Sequence, residues 1–194
     1  MKKNFLLILS AVLLISGCAS SDNLEDSIYI YDQEFTNLPA YTEWGYNTFG
    51  AYYDRALFIS SDATPGKVLS AGGKTVFSLQ GTYDIYGSMT VKFVLNGYSP
   101  AKYSDLVSLN DSIIDLANQK CKVCLLLNGE EDTLNILNGQ LYIKRVQHLL
   151  VNKESSEAIL SGYFQFQMLK DGNPSTISHG RFDVGIGYDN FYKL

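Results

Sequence analysis

The sequence predicts an all-β fold, a single antiparallel β-sandwich, with a lipocalin-like β-barrel as the alternative closure. Three observations point there. Aromatic residues are dense for 194 residues, with 14 Tyr and 10 Phe beside 16 Gly and only 4 Pro, a balance that suits strands better than helical bundles. Apolar residues alternate with polar ones along most of the chain, the period of a strand with one buried face. Turn residues recur at short intervals, with no linker-like stretch between them. Hydrophobic residues make up 46% and charged residues 18%, enough to build a core and too apolar for intrinsic disorder. The net charge of −5 leaves no basic face for phosphates, which argues against a nucleic-acid partner.

The elements follow in order. Ile28-Tyr29-Ile30-Tyr31 opens a short β-like run ending near Phe35, and Trp44 to Tyr53 reads as an aromatic strand that Asp54-Arg55 turns back into Leu57-Phe58-Ile59. Thr75 to Tyr86 and Met89 to Leu95 form a hairpin through Gly87-Ser88. Leu106, Leu109, Ile113 and Leu116 recur at helical spacing, and Ser112 with Asp115 resembles a capping box; a short helical segment is expected near 103–119. Strands resume at 121–127, with 128–132 as a loop. Asn138-Gly139 then reads as a type I′ turn between 133–137 and 140–148. Ala158 to Leu169 and Thr176 to Gly187 pair across Lys170 to Pro174. Gly81 and Gly162 each sit inside a strand pattern, where glycine marks a bulge or a sharp bend.

The first segment is an address. Lys2 and Lys3 precede an apolar run from Phe5 to Ile15, the length of a signal-peptide core and too short to cross a bilayer. It closes on Leu14-Ile15-Ser16-Gly17-Cys18, which resembles a bacterial lipoprotein lipobox. The resemblance implies cleavage before Cys18 and acylation there, palmitate included, so that acyl chains hold the protein on the membrane. The expected organisation is a signal peptide over 1–17, the acylated Cys18 with a tether over 18–27, and a single β domain over 28–194. Loss of Lys2 and Lys3 takes the charge from −5 to −7, so the acyl chains rather than electrostatics must hold an anionic bilayer. Ala19 follows the anchor cysteine where an Asp would resemble an inner-membrane retention signal, so outer-membrane delivery is expected. The acidic Ser21 to Asp26 stretch is similar to that of surface-exposed lipoproteins.

A wider resemblance rests on Thr48-Phe49-Gly50-Ala51-Tyr52, on Leu160-Ser161-Gly162-Tyr163-Phe164-Gln165-Phe166 and on Ile177-Ser178-His179-Gly180-Arg181-Phe182-Asp183. These segments look like the opening strand and closing hairpin of small Bacteroidetes cell-envelope lipoproteins known only as domains of unknown function. The likeness spans residues 44–187 and implies an all-β domain and an envelope address. Those families carry no assigned catalytic or binding residues, so none transfers.

Candidate chemistry is sparse. Cys121-Lys122-Val123-Cys124 has redox or half-zinc spacing, but positions three apart on a strand face opposite sides and cannot share a bond or a metal. Buried structural cysteines are expected. His179, Arg181 and Asp183 alternate along the last strand; residues two apart there stand roughly 7 Å apart, too far for an imidazole–carboxylate bond, and a solvated polar face is expected. Glu130-Glu131-Asp132 lacks calcium-loop spacing. Neither a nucleophile elbow nor a phosphate loop occurs, so no catalytic residue, metal or cofactor is assigned.

The aromatic cluster Tyr41, Trp44, Tyr46, Phe49, Tyr52 and Tyr53 holds the binding potential. Strand alternation places Trp44, Tyr46 and Tyr52 on one face, a platform for sugar rings if exposed. Phe49 and Tyr53 share the other face. A strand that opens a domain usually turns its largest side chain inward, so Trp44 is expected in the core. The expectation for function is a non-enzymatic envelope lipoprotein, held to the membrane by Cys18, that contacts a glycan or another envelope protein. A lipocalin-like carrier of a small apolar ligand is the alternative, and a hydrolase is the least supported.

Overall fold

A computed structural model describes residues 27–61, 64–151 and 154–194. Cys18, the signal segment and most of the tether lie outside the described residues. The strands are β1 (Thr48–Tyr53), β2 (Ala56–Ser60), β3 (Gly66–Ala71), β4 (Lys74–Tyr83), β5 (Gly87–Asn96), β6 (Ser112–Asp115), β7 (Cys121–Leu127), β8 (Glu130–Thr133), β9 (Asn135–Val151), β10 (Glu154–Lys170), β11 (Asn173–Gly187) and β12 (Phe191–Lys193). The fold is all-β. Neighbours hydrogen-bond in the order β6-β9-β10-β11-β1-β2-β4-β5-β7-β8, with β3 joining β4 to β12. Every pairing is antiparallel except β3 with β12. The strands make one curled, open sheet, a half-barrel whose ends are β6 and β8.

Curling brings two walls face to face. Phe77 of β4 and Phe93 of β5 meet Phe182 of β11 and Phe164 of β10, with ring centroids 5.3 Å apart for Phe77–Phe182 and 5.6 Å for Phe93–Phe164. These walls share no ladder, so hydrophobic burial rather than hydrogen bonding closes them. The alternation read from sequence lands here: Phe77 and Leu79 of β4, and Met89, Val91, Phe93 and Leu95 of β5, are buried. Room for the rings on the far wall comes from glycine. Phe182 stands opposite Gly162 and Phe164 opposite Gly180. A Cβ on Gly162 would lie 2.8 Å from Phe182 Cζ, and one on Gly180 would lie 2.7 Å from the Phe164 ring.

Long strands bend through bulges. β10 shifts register against β9 between Ser161 and Gly162, as the glycine inside that strand pattern suggested. Gly81 sits where the partner of β4 changes from β3 to β2, and a Cβ there would lie 2.0 Å from the Ile59 carbonyl oxygen.

Several boundaries differ from the sequence reading. Asn138-Gly139 is not a turn: both residues lie inside the continuous β9, beside a register shift between Gln167 and Met168. The glycine is needed there because a Cβ would lie 2.3 Å from that of Phe166. Two-residue turns with both φ angles positive are instead made by Gly72-Gly73, Asn128-Gly129 and Asp171-Gly172, the first pairing Ala71 with Lys74 and the others Leu127 with Glu130 and Lys170 with Asn173. What read as a loop at 128–132 is therefore a tight hairpin into β8. The helical segment is a 3₁₀ stretch, Tyr103–Leu109, in which Leu106 is buried. Asp105 Oδ2 accepts from the Ala101 and Lys102 amides at its start. Ser112 to Asp115 does not cap a helix but pairs with β9 as β6.

Candidate functional site

Residues 27–47 contain no strand. They bridge only through Tyr31 and Pro39 and lie as a strap over the outer side of β9, β10 and β11. What fastens the strap is Asp183, which is 1% exposed. Its carboxylate accepts from the amides of Trp44 (3.0 Å), Gly45 (2.9 Å) and Tyr46 (3.2 Å), and from the hydroxyls of Thr42 and Ser161. Five donors around one buried carboxylate meet its need for compensation away from water. A second anchor pairs Arg181 with Asp32 beneath the Phe35 ring, whose centroid is 4.8 Å from the guanidinium carbon. Burial opposes ionisation of Asp32, but the Phe35 and Glu34 amides and Arg181 outweigh it and leave its pKa lowered.

Beyond Asp183 the strap reaches β9. Gln147 donates to the Glu43 carbonyl. Tyr41 stacks on Tyr163 at 4.5 Å, with Lys144 Nζ 4.6 Å from the Tyr41 centroid. Glu43 Oε1 accepts from the Tyr41 hydroxyl at 2.8 Å, Arg145 donates to Oε2 at 3.2 Å, and Lys144 lies 3.6 Å away. The Tyr41 bond, with Arg145 and Lys144, outweighs desolvation and holds the Glu43 carboxyl below its usual range. Burial, and after it the bond to Glu43, pushes the Tyr41 hydroxyl up. Lys144 and Arg145 are consecutive, yet both reach Glu43, because the β9–β10 register skips Lys144: Ile143 pairs with Gly162 and Arg145 with Ser161.

Three depressions follow this face. One, of about 330 Å³, lies between Trp44, Tyr41, Thr42 and Glu43 of the strap and Arg145 and Gln147 of β9. A groove of about 700 Å³ shares Glu43, Arg145 and Gln147 with it and runs past Lys144 and Tyr142 to Asn110 and Asp111. A third, of about 320 Å³, shares Tyr142 and is walled by Gln140, Tyr163, Gln165 and His179. The Tyr142 hydroxyl donates to Asp111 Oδ1 at 2.7 Å, which raises its pKa.

The structure corrects the aromatic platform. Trp44 is 73% exposed, not core, because the strand starts only at Thr48 and the strap obeys no alternation. Tyr46 is half-buried and its carbonyl accepts from the Ile28 amide. Tyr52 is also half-buried; its hydroxyl donates to the Thr36 carbonyl and its ring meets His179 edge-on at 6.1 Å. The three do not form one surface; Trp44 alone lines the groove. Phe49 and Tyr53 do share the inner face of β1. The solvated reading of the last strand also fails: Arg181 and Asp183 are buried under the strap, while His179 is exposed at a bulge with φ of 53°. Cys121 and Cys124 are buried thiols with no disulfide, and burial pushes the Cys121 thiol up to about 11. Glu130 to Asp132 form the exposed edge strand β8, with Lys92 paired to Glu131. Among the described residues no cluster of three His, Cys, Asp or Glu could hold a metal.

Sequence reasoning placed Tyr41 in the aromatic cluster but passed over Glu43, Lys144, Arg145, Gln147 and the anchoring role of Asp183. The only available signal was the adjacent pair Lys144-Arg145 inside an otherwise alternating strand, which marks a bulge. No family model matches the chain, and neither the curated proteins nor the solved structures contain a match.

Proposed function

We propose that this chain is a lipid-anchored protein of the outer membrane whose β domain is a non-enzymatic binding module, with the Trp44 groove as its glycan-binding site. The observation that carries the reading is the one Trp of the chain, exposed at the rim of a groove lined by Glu43, Arg145 and Gln147. A bare indole costs solvation and stacks on the apolar face of a pyranose, while planar amide, carboxylate and guanidinium groups match sugar hydroxyls. Against a general-acid role, Glu43 is held ionised by Tyr41 and two cations, whereas such an acid must keep its proton near neutrality. Against an apolar carrier, Phe77, Phe93, Phe164 and Phe182 occupy the space between the walls that a lipocalin-like fold keeps for its ligand. The anchor rests on the lipobox resemblance at Cys18.

Two measurements test the parts separately. An alkyne fatty acid fed to cells should label the wild-type chain and not Cys18→Ser; label on the variant overturns the anchor. For the protein lacking residues 1–18, neutral oligosaccharides should blue-shift the emission of Trp44. No shift, and no heat of binding, across a broad glycan panel overturns the glycan reading.

A further inference from the structure

The three depressions are not separate sites. Along β9 the first two share Glu43, Arg145 and Gln147, and the second and third meet at Tyr142, so a row of adjoining depressions runs from Trp44 to the pair Gln140–Gln165, which face each other across β9 and β10. From Gln147 to Gln140 the strand covers about 20 Å, several pyranose rings in length. Rings line the way at Trp44, Tyr142 and Tyr163, and amides recur at Gln147, Asn110, Gln140 and Gln165. Charge sums to zero over Glu43, Asp111, Lys144 and Arg145: the two cations share Glu43, and Asp111 accepts from Tyr142. A polyanion or polycation would have to break these pairs, whereas hydroxyl groups can bond to their outer edges. Over 140–143 an extended peptide finds no free ladder, because β9 is bonded on both sides there, to β6 and β10.

We infer that the groove along β9 is an extended site for a linear, uncharged oligosaccharide, with one end of the chain at Trp44 and the other at Gln140 and Gln165. The inference rests on the glycan reading above and adds chain length and neutrality to it. Stacking and hydrogen bonding accumulate along the groove, so affinity grows with each ring until the groove is full.

The test is calorimetry on the protein lacking residues 1–18, with neutral glucan and mannan oligosaccharides from monosaccharide to hexasaccharide and with oligogalacturonate as the anionic probe. The hexasaccharide should bind at least roughly tenfold tighter than the disaccharide. That affinity should be little changed by added salt, since no net charge pairs across the contact. Gln140→Ala combined with Gln165→Ala, both exposed positions, should remove the length-dependent gain and leave disaccharide binding at Trp44 intact. Trp44→Ala should weaken both. If neutral sugars bind but affinity is flat with length, or the glutamine variant is silent, the extended site is overturned while the glycan reading stands. Tighter, salt-sensitive binding of oligogalacturonate overturns neutrality. Absence of any binding overturns the underlying reading itself.

Discussion

On the inner side of β10 and β11, Phe164 and Phe182 meet the opposite wall through aromatic contacts; on the outer side of the same strands, Ser161, Arg181 and Asp183 are buried almost as deeply. The inner residues are dry because the sheet curls over them, and hydrocarbon burial itself drives that closure. The outer residues are dry only because the strap from 27 to 47 lies across them, and what holds the strap is hydrogen bonding to the Asp183 carboxylate, ion pairs at Arg181 and Glu43, the Gln147 bond and the Tyr41–Tyr163 stack. Equal burial thus has unlike origins. The inner face should respond to lost volume and be indifferent to pH, and the outer face should respond to lost partners and to protonation.

The largest effect should come from the inner face. Phe182→Ala removes a ring that touches both Phe77 and Phe164 and should cost about 3–5 kcal/mol by cavity formation. Chemical denaturation should show it as a lower midpoint with Trp44 emission unchanged before the transition. A shift in native-state emission would mean that the strap senses the core and would blur the distinction.

Asp183→Ala is the outer counterpart. It strands donors from Thr42, Trp44, Gly45, Tyr46 and Ser161, and should cost about 2–4 kcal/mol. Unlike the Phe182 variant, it should alter Trp44 emission and quenching before global unfolding. Loss of stability without that local change would show that the strap stays in place without its anchor.

Acid should act on the outer face alone. The folded-state pKa values of Glu43 and Asp32 are lowered, so their ion pairs stabilise fully above the ordinary carboxylate range and lose that contribution as pH falls through the lowered values. Between neutrality and about pH 5 the strap should be unchanged. Below that, Trp44 quenching should change before the far-ultraviolet circular dichroism does. Simultaneous loss of both signals would make the strap and the sheet one cooperative unit.

The smallest effect should be Trp44→Ala, which removes an exposed ring and should move the unfolding free energy by no more than about 0.5 kcal/mol, while binding in the groove falls. A cost of several kcal/mol would return the indole to a packing role.

Two Asn-Gly dipeptides ten residues apart show how far local chemistry carries. Asn128-Gly129 makes the tight turn its sequence advertises, whereas Asn138-Gly139 runs straight through β9. Both sequences permit positive φ. What separates them is the partner: β7 and β8 pair directly across the first, while 135–138 continue along β10 beside the second, where Gly139 is needed for the approach of Phe166. The alternation of β4 and β5 was readable for the same reason that the second dipeptide was not, because a period of two survives in any sheet while register depends on which strand lies alongside. Trp44 was misplaced by extending that period four residues ahead of the start of β1.

By itself, then, the order of residues determined the all-β class, the inward set of Phe, Leu and Val along the hairpins, the burial of Cys121 and the paired glycines where strands bend. These follow from side-chain period and backbone freedom, which act over a few neighbours. Only the tertiary structure decided that the strands join into one curled sheet, that Asp183 is a buried anchor, and that Tyr41, Glu43, Lys144 and Arg145 converge beside Trp44. Residue 43 meets residues 144 and 145, and residues 44–46 meet residue 183. Such contacts depend on where a strap without regular structure lies, and that is settled by the sum of hydrogen bonds it finds on a distant strand rather than by any pattern within its own sequence.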